Sequence, residues 1–404
     1  MRREYREMIL ELRHRLHENA ELSGNEVQTK KILMNFLREH TGLSVTDRGT
    51  WFYAAAVPSE SDMRPAAQTR PCKDSDTDRC AAKGPIAFRA DMDALPIPET
   101  IDLPYASCNP GVSHKCGHDG HSAALAGLAL EADRLLRESK LSRPVYLIFQ
   151  HAEEIGAGGA VCAELLEEKK ICEVYAFHNL GGFPENAIVY RRNQTQPESE
   201  GLTITFRGRP SHASAPENGI NPARAIAKMI DYAGKLAEIR GGDRIDEPTE
   251  DRSCMALCTI VHVRVGKRDF GVSAGDAEIS VTLRSDREAV MKQMEAGLLE
   301  YAEKVADSEH LKVSHSIADY FPETRNEDGC LNRVLAAAAK TGRQVIAMPE
   351  IWRASEDFGY YTRKTPGAMF YIGTGVDHAP LHTTAYDFDD AILETAVDMF
   401  KELI

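Results

Sequence analysis

Five short segments concentrate the residue types that can hold a metal ion or move a proton. Arg89-Ala90-Asp91-Met92-Asp93-Ala94-Leu95-Pro96 carries two aspartates spaced two apart, so on an extended chain they share a face. His114-Lys115-Cys116-Gly117-His118-Asp119-Gly120-His121 offers a thiol among imidazoles just before a helical pattern. His151-Ala152-Glu153-Glu154 sets two carboxylates side by side directly after a strand pattern. Phe177-His178-Asn179 and His378-Ala379-Pro380-Leu381-His382 add further histidines, the first of these just past a strand. Imidazole, carboxylate and thiolate together suit zinc, manganese, cobalt or nickel rather than calcium or magnesium. Adjacent glutamates on an extended backbone point opposite ways, so one of Glu153 and Glu154 can bind metal while the other stays free. A free carboxylate beside metal-bound water is what amide hydrolysis needs. The metal lowers the pKa of water to about 7, and the carboxylate takes the proton and passes it to the leaving amine.

Each segment alone also has a bland reading. A single Cys-Gly-His is weak evidence of ligation, Glu-Glu is usually a solvated helix start, and Asp-x-Asp is common turn and cap chemistry. A lone histidine beside Leu or Phe is more often a hydrogen-bonded core or loop residue. The combination carries weight because of the elements that must position it. Residues 51–57 read as a strand, which resumes at 85–90 after a polar, aperiodic excursion over 58–83. A helix at 122–138, a strand at 145–150, a helix at 160–170 and a strand at 173–177 follow. This alternation predicts an α/β fold, a mostly parallel sheet flanked by helices. In such sheets the carboxyl ends of the strands converge on one crevice, and every segment lies at a strand exit or where a loop meets a helix.

A second unit begins near Thr195. Strands at 201–207, 255–265, 277–284 and 311–318 and helices at 221–239 and 286–306, the first with Pro222 in its opening turn, run in the order β-α-β-β-α-β. That order is the signature of a ferredoxin-like unit. The expected division is a discontinuous metal-binding catalytic domain, residues 1–194 and 321–404, interrupted by an inserted domain, residues 195–320.

The bulk properties exclude several classes. A chain of 404 residues with 43% hydrophobic and 27% charged residues is globular and long enough for two domains. A net charge of −14 repels nucleic acid and anionic membranes, so neither is expected as a partner. No stretch approaches the roughly 20 apolar residues of a membrane span. The charged segment 1–17 lacks the apolar core of a signal peptide. The nine scattered cysteines form no Cys-x-x-Cys, which argues against a redox or zinc-storage protein and for free thiols in a cytoplasmic setting. Cys72 and Cys80 read as loop residues, and Cys108, Cys162, Cys172, Cys254, Cys258 and Cys330 as small apolar filler.

The run 89–96 followed by Cys116-Gly117-His118-Asp119-Gly120-His121 resembles the dinuclear-metal amidohydrolases related to aminoacylase and carboxypeptidase G. The branch is that of the hippurate and auxin-conjugate hydrolases. His17-Glu18, Glu26, Thr29, Ala152-Glu153-Glu154, Phe177-His178-Asn179, Ser211-His212-Ala213, Ser355-Glu356-Asp357-Phe358, Pro366-Gly367 and Leu381-His382 extend the resemblance along nearly the whole chain. It implies that Cys116, His118, Glu154, His178 and His382 hold two divalent ions (Mn, Zn, Ni or Co), with Cys116 shared. It implies that Glu153 is the general base and acid, and that Asp91 and Asp93 orient ligands. The inserted domain would be a lid and the surface of a homodimer, and its His212 would polarise the scissile carbonyl.

Four features depart from the family pattern. Phe270-Gly271-Val272-Ser273-Ala274-Gly275 stands where an Asn-Val-Ile-Pro-like segment is usual, and 58–83 looks like an insertion. His151 replaces a common proline and Lys115 a common alanine. The expected reaction is cleavage of N-acyl amino acids or similar conjugates, small molecules with a free carboxylate. Arg284 and the backbone at Gly373-Thr374-Gly375 are candidates to hold that carboxylate. A dipeptidase or exopeptidase on the same site is the nearest rival. A non-catalytic binding protein of the same fold is another, and the presence of Glu153 and all five ligand positions argues against it.

Overall fold

The computed structural model describes residues 1–59, 84–237 and 255–404. The readings made for residues 60–83, with Cys72 and Cys80, for Cys254 and for the end of the 221–239 helix lie outside them. The chain forms two compact units: Met1–Thr195 with Thr324–Ile351 and Glu356–Ile404, and Gln196–Glu323 with Trp352–Ser355.

The first unit is built on an eight-stranded mixed sheet. Its centre is four parallel strands, in the order Val145–Gln150, Ile86–Asp91, Glu173–Leu180 and Gly367–Gly373. Phe52–Ala56 adds antiparallel to Val145–Gln150 on one side, and Ile188–Tyr190 antiparallel to Gly367–Gly373 on the other. Most residues of the central strands are buried, as expected where helices cover both faces. Side chains alternate between two apolar layers: Phe88, Leu147, Phe149 and Phe177 enter the larger one, while Ala87, Ile148, Val174 and Ala176 enter the smaller. The helix His118–Arg137 runs through the larger layer, buried from His118 to Asp133. A Cβ at its Gly127 would lie 2.6 Å from Val397 Cγ2, so glycine lets the C-terminal helix Leu393–Leu403 approach closely.

Three local expectations are corrected. The central helix begins at His118 rather than residue 122, so His118 to His121 form its first turn. Gly117, at φ 94°, turns the chain sharply just before it. The single helix expected at 160–170 is two short pieces, Gly158–Cys162 and Glu164–Glu168, with a turn at Ala163. His178 and Asn179 lie inside their strand rather than past it, because pairing with Tyr371 and Ile372 extends Glu173–Leu180.

The second unit is an antiparallel sheet in the order Ala256–Val265, Asp276–Ser285, Glu198–Arg207, Lys312–Phe321, with the helices Ala223–Ala237 and Glu288–Ser308. The chain order is the ferredoxin-like β-α-β-β-α-β. Along Glu198–Arg207, Leu202, Ile204 and Phe206 enter a separate apolar core with Met229, Met294 and Leu298 from the helices. A two-residue strand, Ser211–His212, pairs with Val272–Ser273. Among the described residues, no helix is long and apolar enough to cross a membrane. Cys162, Cys258 and Cys330 are buried filler as expected, but Cys108 is exposed and Cys172 half-buried.

Candidate metal centre

The parallel register sets the site. Asp91 and Gln150, the last residues of their strands, are paired neighbours. His178 lies near the same end of the next strand. Beyond the strand ends, turns bring in the remaining side chains. A Cβ at Gly117 would sit 2.6 Å from Asn179 Oδ1, so the link between Cys116 and His118 requires glycine for space as well as for φ. Ala152 and His382 both have positive φ, 49° and 60°. Ala152 N–H donates to the buried Glu26 carboxylate at 2.7 Å, and His382 N–H to Lys115 O at 2.8 Å.

Cys116 Sγ lies 3.5 Å from His178 Nε2 and 3.3 Å from His382 Nε2. Glu154 Oε1 lies 3.7 Å from both His118 Nε2 and His382 Nε2, and Glu153 Oε2 lies 3.9 Å from His118 Nε2. The donor atoms of Cys116, His118 and His178 all fall within 4.8 Å of one another, and so do those of Cys116, Glu154 and His382. The two groups share the thiol. Glu153 and Glu154 occupy a tight turn rather than an extended strand, so both approach the same imidazole instead of pointing opposite ways.

Ring tautomers follow from the far nitrogens. His178 Nδ1 lies 2.8 Å from Asn179 O; a carbonyl only accepts, so Nδ1 carries the proton and Nε2 presents a lone pair. His118 Nδ1 faces the Asp93 carboxylate at 3.2 Å, with Asp91 at 3.8 Å. This is the carboxylate–imidazole pairing that orients metal ligands. His118 Nε2 and Glu154 Oε1 are buried and find no hydrogen-bond partner among the described residues. Such orphaned atoms need a partner, and a thiolate–imidazole–carboxylate set aimed inward fits zinc-like divalent ions.

The electrostatics agree. Burial, then Glu154 and Glu153, push the Cys116 thiol well above its ordinary value. Burial, then Glu356 and Glu154, do the same to the Glu153 carboxyl. Burial lifts Glu154 to about 7 even though His118 pulls it down. His118 itself is raised to about 10, because Asp91, Asp93 and Glu154 outweigh the burial that disfavours its charge. The shifts favour the protonated forms of the Cys116 thiol, the Glu153 carboxyl and the His118 imidazole, while Asp91 and Asp93 are held below the usual carboxylate range. A divalent ion would displace these protons.

A second ring of contacts holds the cluster. His121 bridges Asp91 at 2.7 Å and Asn179 at 2.6 Å. Asp93 also accepts from Glu154 N–H at 3.0 Å and from Ser23 Oγ at 2.7 Å. Arg89, 2% exposed, donates to Asp91 and Asp357, each at 2.7 Å, and to Gln150 at 2.9 Å, and pairs with Glu356 at 3.0 Å. The sequence by itself gives Arg89, Glu356 and Asp357 no role. The i, i+2 spacing of Arg89 and Asp91 was the available signal, since it puts both on one strand face.

The remaining candidates stand differently. Gly373 ends its strand, buried, and the neighbouring Thr374 is buried with an Oγ1 that has no hydrogen-bond partner among the described residues. His212 and Arg284 belong to the second unit. His212 is exposed, and Ser214 N–H donates to its Nδ1 at 3.1 Å, so in the neutral ring Nε2 carries the proton. Arg284, half-buried, donates to Arg353 O at 3.0 Å and to Ser355 Oγ at 2.5 Å.

A mixed sheet with an inserted ferredoxin-like unit, beside a cluster of thiol, imidazole and carboxylate groups able to hold metal ions, points to a class of metallohydrolases. The profile of Peptidase family M20/M25/M40 matches residues 87–404, and the chain belongs to this family. It is a hydrolase acting on amide bonds. It is 28% identical over 396 residues to an N-acetylcysteine deacetylase of Bacillus subtilis (strain 168), with 98% of this chain and 95% of that protein covered. It is 28% identical over 406 residues to thermostable carboxypeptidase 2 of Saccharolobus solfataricus, covering 97% and 93%. The solved structure of a dinuclear metal-binding M20 peptidase of Bacillus subtilis superposes with a TM-score of 0.74 at 26% identity, covering 100% of this chain and 98% of that one.

Proposed function

We propose that this chain hydrolyses the amide bond of N-acyl amino acids or similar amino-acid conjugates at a two-metal site. The observation that carries the reading is the pair of ligand groups sharing Cys116, with Glu153 beside them. Cys116, His118 and His178 would hold one divalent ion (Mn, Zn, Ni or Co), and Cys116, Glu154 and His382 the other. When bound, the ions supply the Lewis acidity that activates water and polarises a carbonyl.

The chain's own groups do the rest. Glu153 takes the proton of the attacking water and returns it to the leaving amine, a task suited to a carboxyl whose buried position raises its pKa. Asp93 and Asp91 keep His118 Nδ1 protonated and the ring in place. His212, with its proton on Nε2, is built to donate to the developing oxyanion. Thr374 Oγ1, the backbone at Gly373 and the Arg284 guanidinium are the groups we assign to the substrate carboxylate. The second unit acts as lid and dimer surface: its edge strand Ala256–Val265 exposes Val261, Val263 and Val265. A homodimer of this kind would let His212 serve a partner's site.

The similarity to a deacetylase supports an acyl amino acid as substrate, and the similarity to a carboxypeptidase supports exopeptidase action as the second reading. The test is release of free amino acid from a panel of N-acyl amino acids and dipeptides by metal-free, zinc-loaded and manganese-loaded protein, alongside Glu153→Gln. Activity restored by metal and absent from a variant that still holds two ions supports the mechanism. A Glu153→Gln enzyme as fast as wild type would end it. Dipeptides cleaved in preference to acyl amino acids would select the second reading.

A further inference from the structure

Lys115 is fully buried, a rare state for lysine that demands partners. Its Nζ meets Glu99 Oε1 at 2.6 Å and donates to Tyr386 O at 2.8 Å. Its own carbonyl accepts His382 N–H at 2.8 Å. One residue thus grips residues 382 and 386 of a single loop, once through its backbone and once through its ammonium. That loop, 374–389, leaves the strand Gly367–Gly373 and contains neither helix nor strand of its own. It must nonetheless hold His382 in a left-handed conformation with Nε2 3.3 Å from Cys116 Sγ, and Cys116 is the very next residue after Lys115.

The grip is itself anchored. Glu99 Oε2 meets His17 Nε2 at 2.8 Å, His17 Nδ1 meets Asp119 Oδ2 at 2.8 Å, and Arg13 pairs with Asp119 at 3.2 Å. On the other side Asn179, next to His178, donates to the hydroxyl of Tyr386 at 2.6 Å. The ammonium is therefore held from the N-terminal helix, Arg3–Glu18, which carries Arg13 and His17, and the loop residue it grips is held from the strand that carries His178.

We propose that Lys115 is a positioning residue that clamps the 374–389 loop so that His382 can complete the Cys116–Glu154–His382 group, leaving the Cys116–His118–His178 group independent of it. This rests on the ligand reading above. The asymmetry follows from the contacts: His118 and His178 sit on a helix and a strand with their own orienting partners, whereas His382 sits on a loop, its backbone N–H held by Lys115 O. Losing an outer partner of a metal ligand typically costs about 10- to 100-fold in affinity.

The experiment is zinc titration of the metal-free full-length protein against a competing chelator, with metal content counted after dialysis. Lys115→Met is expected to keep one ion at wild-type affinity and weaken the other about 10- to 100-fold. Lys115→Met/Glu99→Gln, which restores charge balance without the tie to Tyr386, is expected to match it, and serves if the single variant unfolds. In a His382→Ala background, Lys115→Met should leave the affinity of the remaining ion unchanged, a result that general loosening of the fold would not produce. Equal weakening of both ions, no weakening, or recovery in the double variant overturns the clamp. His382→Ala separates the two claims. If it retains both ions tightly, the ligand reading falls and the clamp with it; if it loses one while Lys115→Met loses none, only the clamp falls.

Discussion

Replacing Arg89 by methionine keeps the buried bulk but removes the one guanidinium that Asp91, Glu356 and Asp357 share. Breaking a buried pair by deleting one partner costs about 3–5 kcal/mol, since the other charge is stranded. Here the stranded groups can escape by taking up protons, so the loss depends on pH. Burial lifts Asp357 to about 7 from an unperturbed 3.8, although Arg89 pulls it down. Glu356 is raised for the same reason, burial first, against the pull of Arg89. A carboxyl whose folded pKa is raised stabilises the fold at low pH, and that stability is lost as pH rises through the folded value. Without Arg89 both carboxyls rise further, so near neutrality the folded variant holds more protons than the wild type. The deficit should then shrink on acidification, by at most about 1.4 kcal/mol per pH unit for each extra proton held. It would be about 3–5 kcal/mol at pH ~8 and smaller by as much as about 2.8 kcal/mol at pH ~6. At roughly 2 °C per kcal/mol for a unit of this size, Tm should fall by about 6–10 °C at the higher pH and by a few degrees at the lower. Thermal melts of metal-free wild type and variant at the two pH values read this directly. A Tm loss that is the same at both, or under about 1 °C at the higher pH, would refute the picture of Arg89 as a shared counter-charge.

Three further outcomes are expected. Asp93→Ala removes the carboxylate that faces His118 Nδ1 and takes the Glu154 N–H, so zinc affinity should drop about 10- to 100-fold in chelator competition; unchanged affinity would leave Asp93 without the orienting role. Metal uptake should release protons and tighten as pH rises, because burial holds the Cys116 thiol well above its ordinary value and Glu154 at about 7. Calorimetric titration in buffers of differing ionisation heat counts those protons, and a count of zero contradicts the assigned ligands. His212→Ala should lower kcat roughly 10²- to 10³-fold while both ions stay bound; loss of metal instead would place His212 outside the oxyanion role.

Much of the fold can be read in the sequence because burial leaves a local trace. Apolar runs such as Val145 to Phe149, and the alternation of Leu202, Ile204 and Phe206 with Thr203 and Thr205, mark strands that are covered on two faces or on one. The order of elements around residue 200 leads to the ferredoxin-like unit for the same reason. The residue types at 91–93, 116–121, 153–154, 178 and 382 state metal chemistry by their donors alone. What the sequence does not contain is the pairing of side chains across the chain. Arg89 meets Asp357, 268 positions away, only because two parallel strands end in register beside the turn that carries it. Glu153 and Glu154 share one imidazole because Ala152 adopts a positive φ, which no periodicity reports. Lys115 reads as a departure from a pattern until the fold sets it between Glu99 and Tyr386. Periodicity records which face of an element is dry; which charges meet on that face depends on register, turn conformation and close packing, and these exist only in the folded chain.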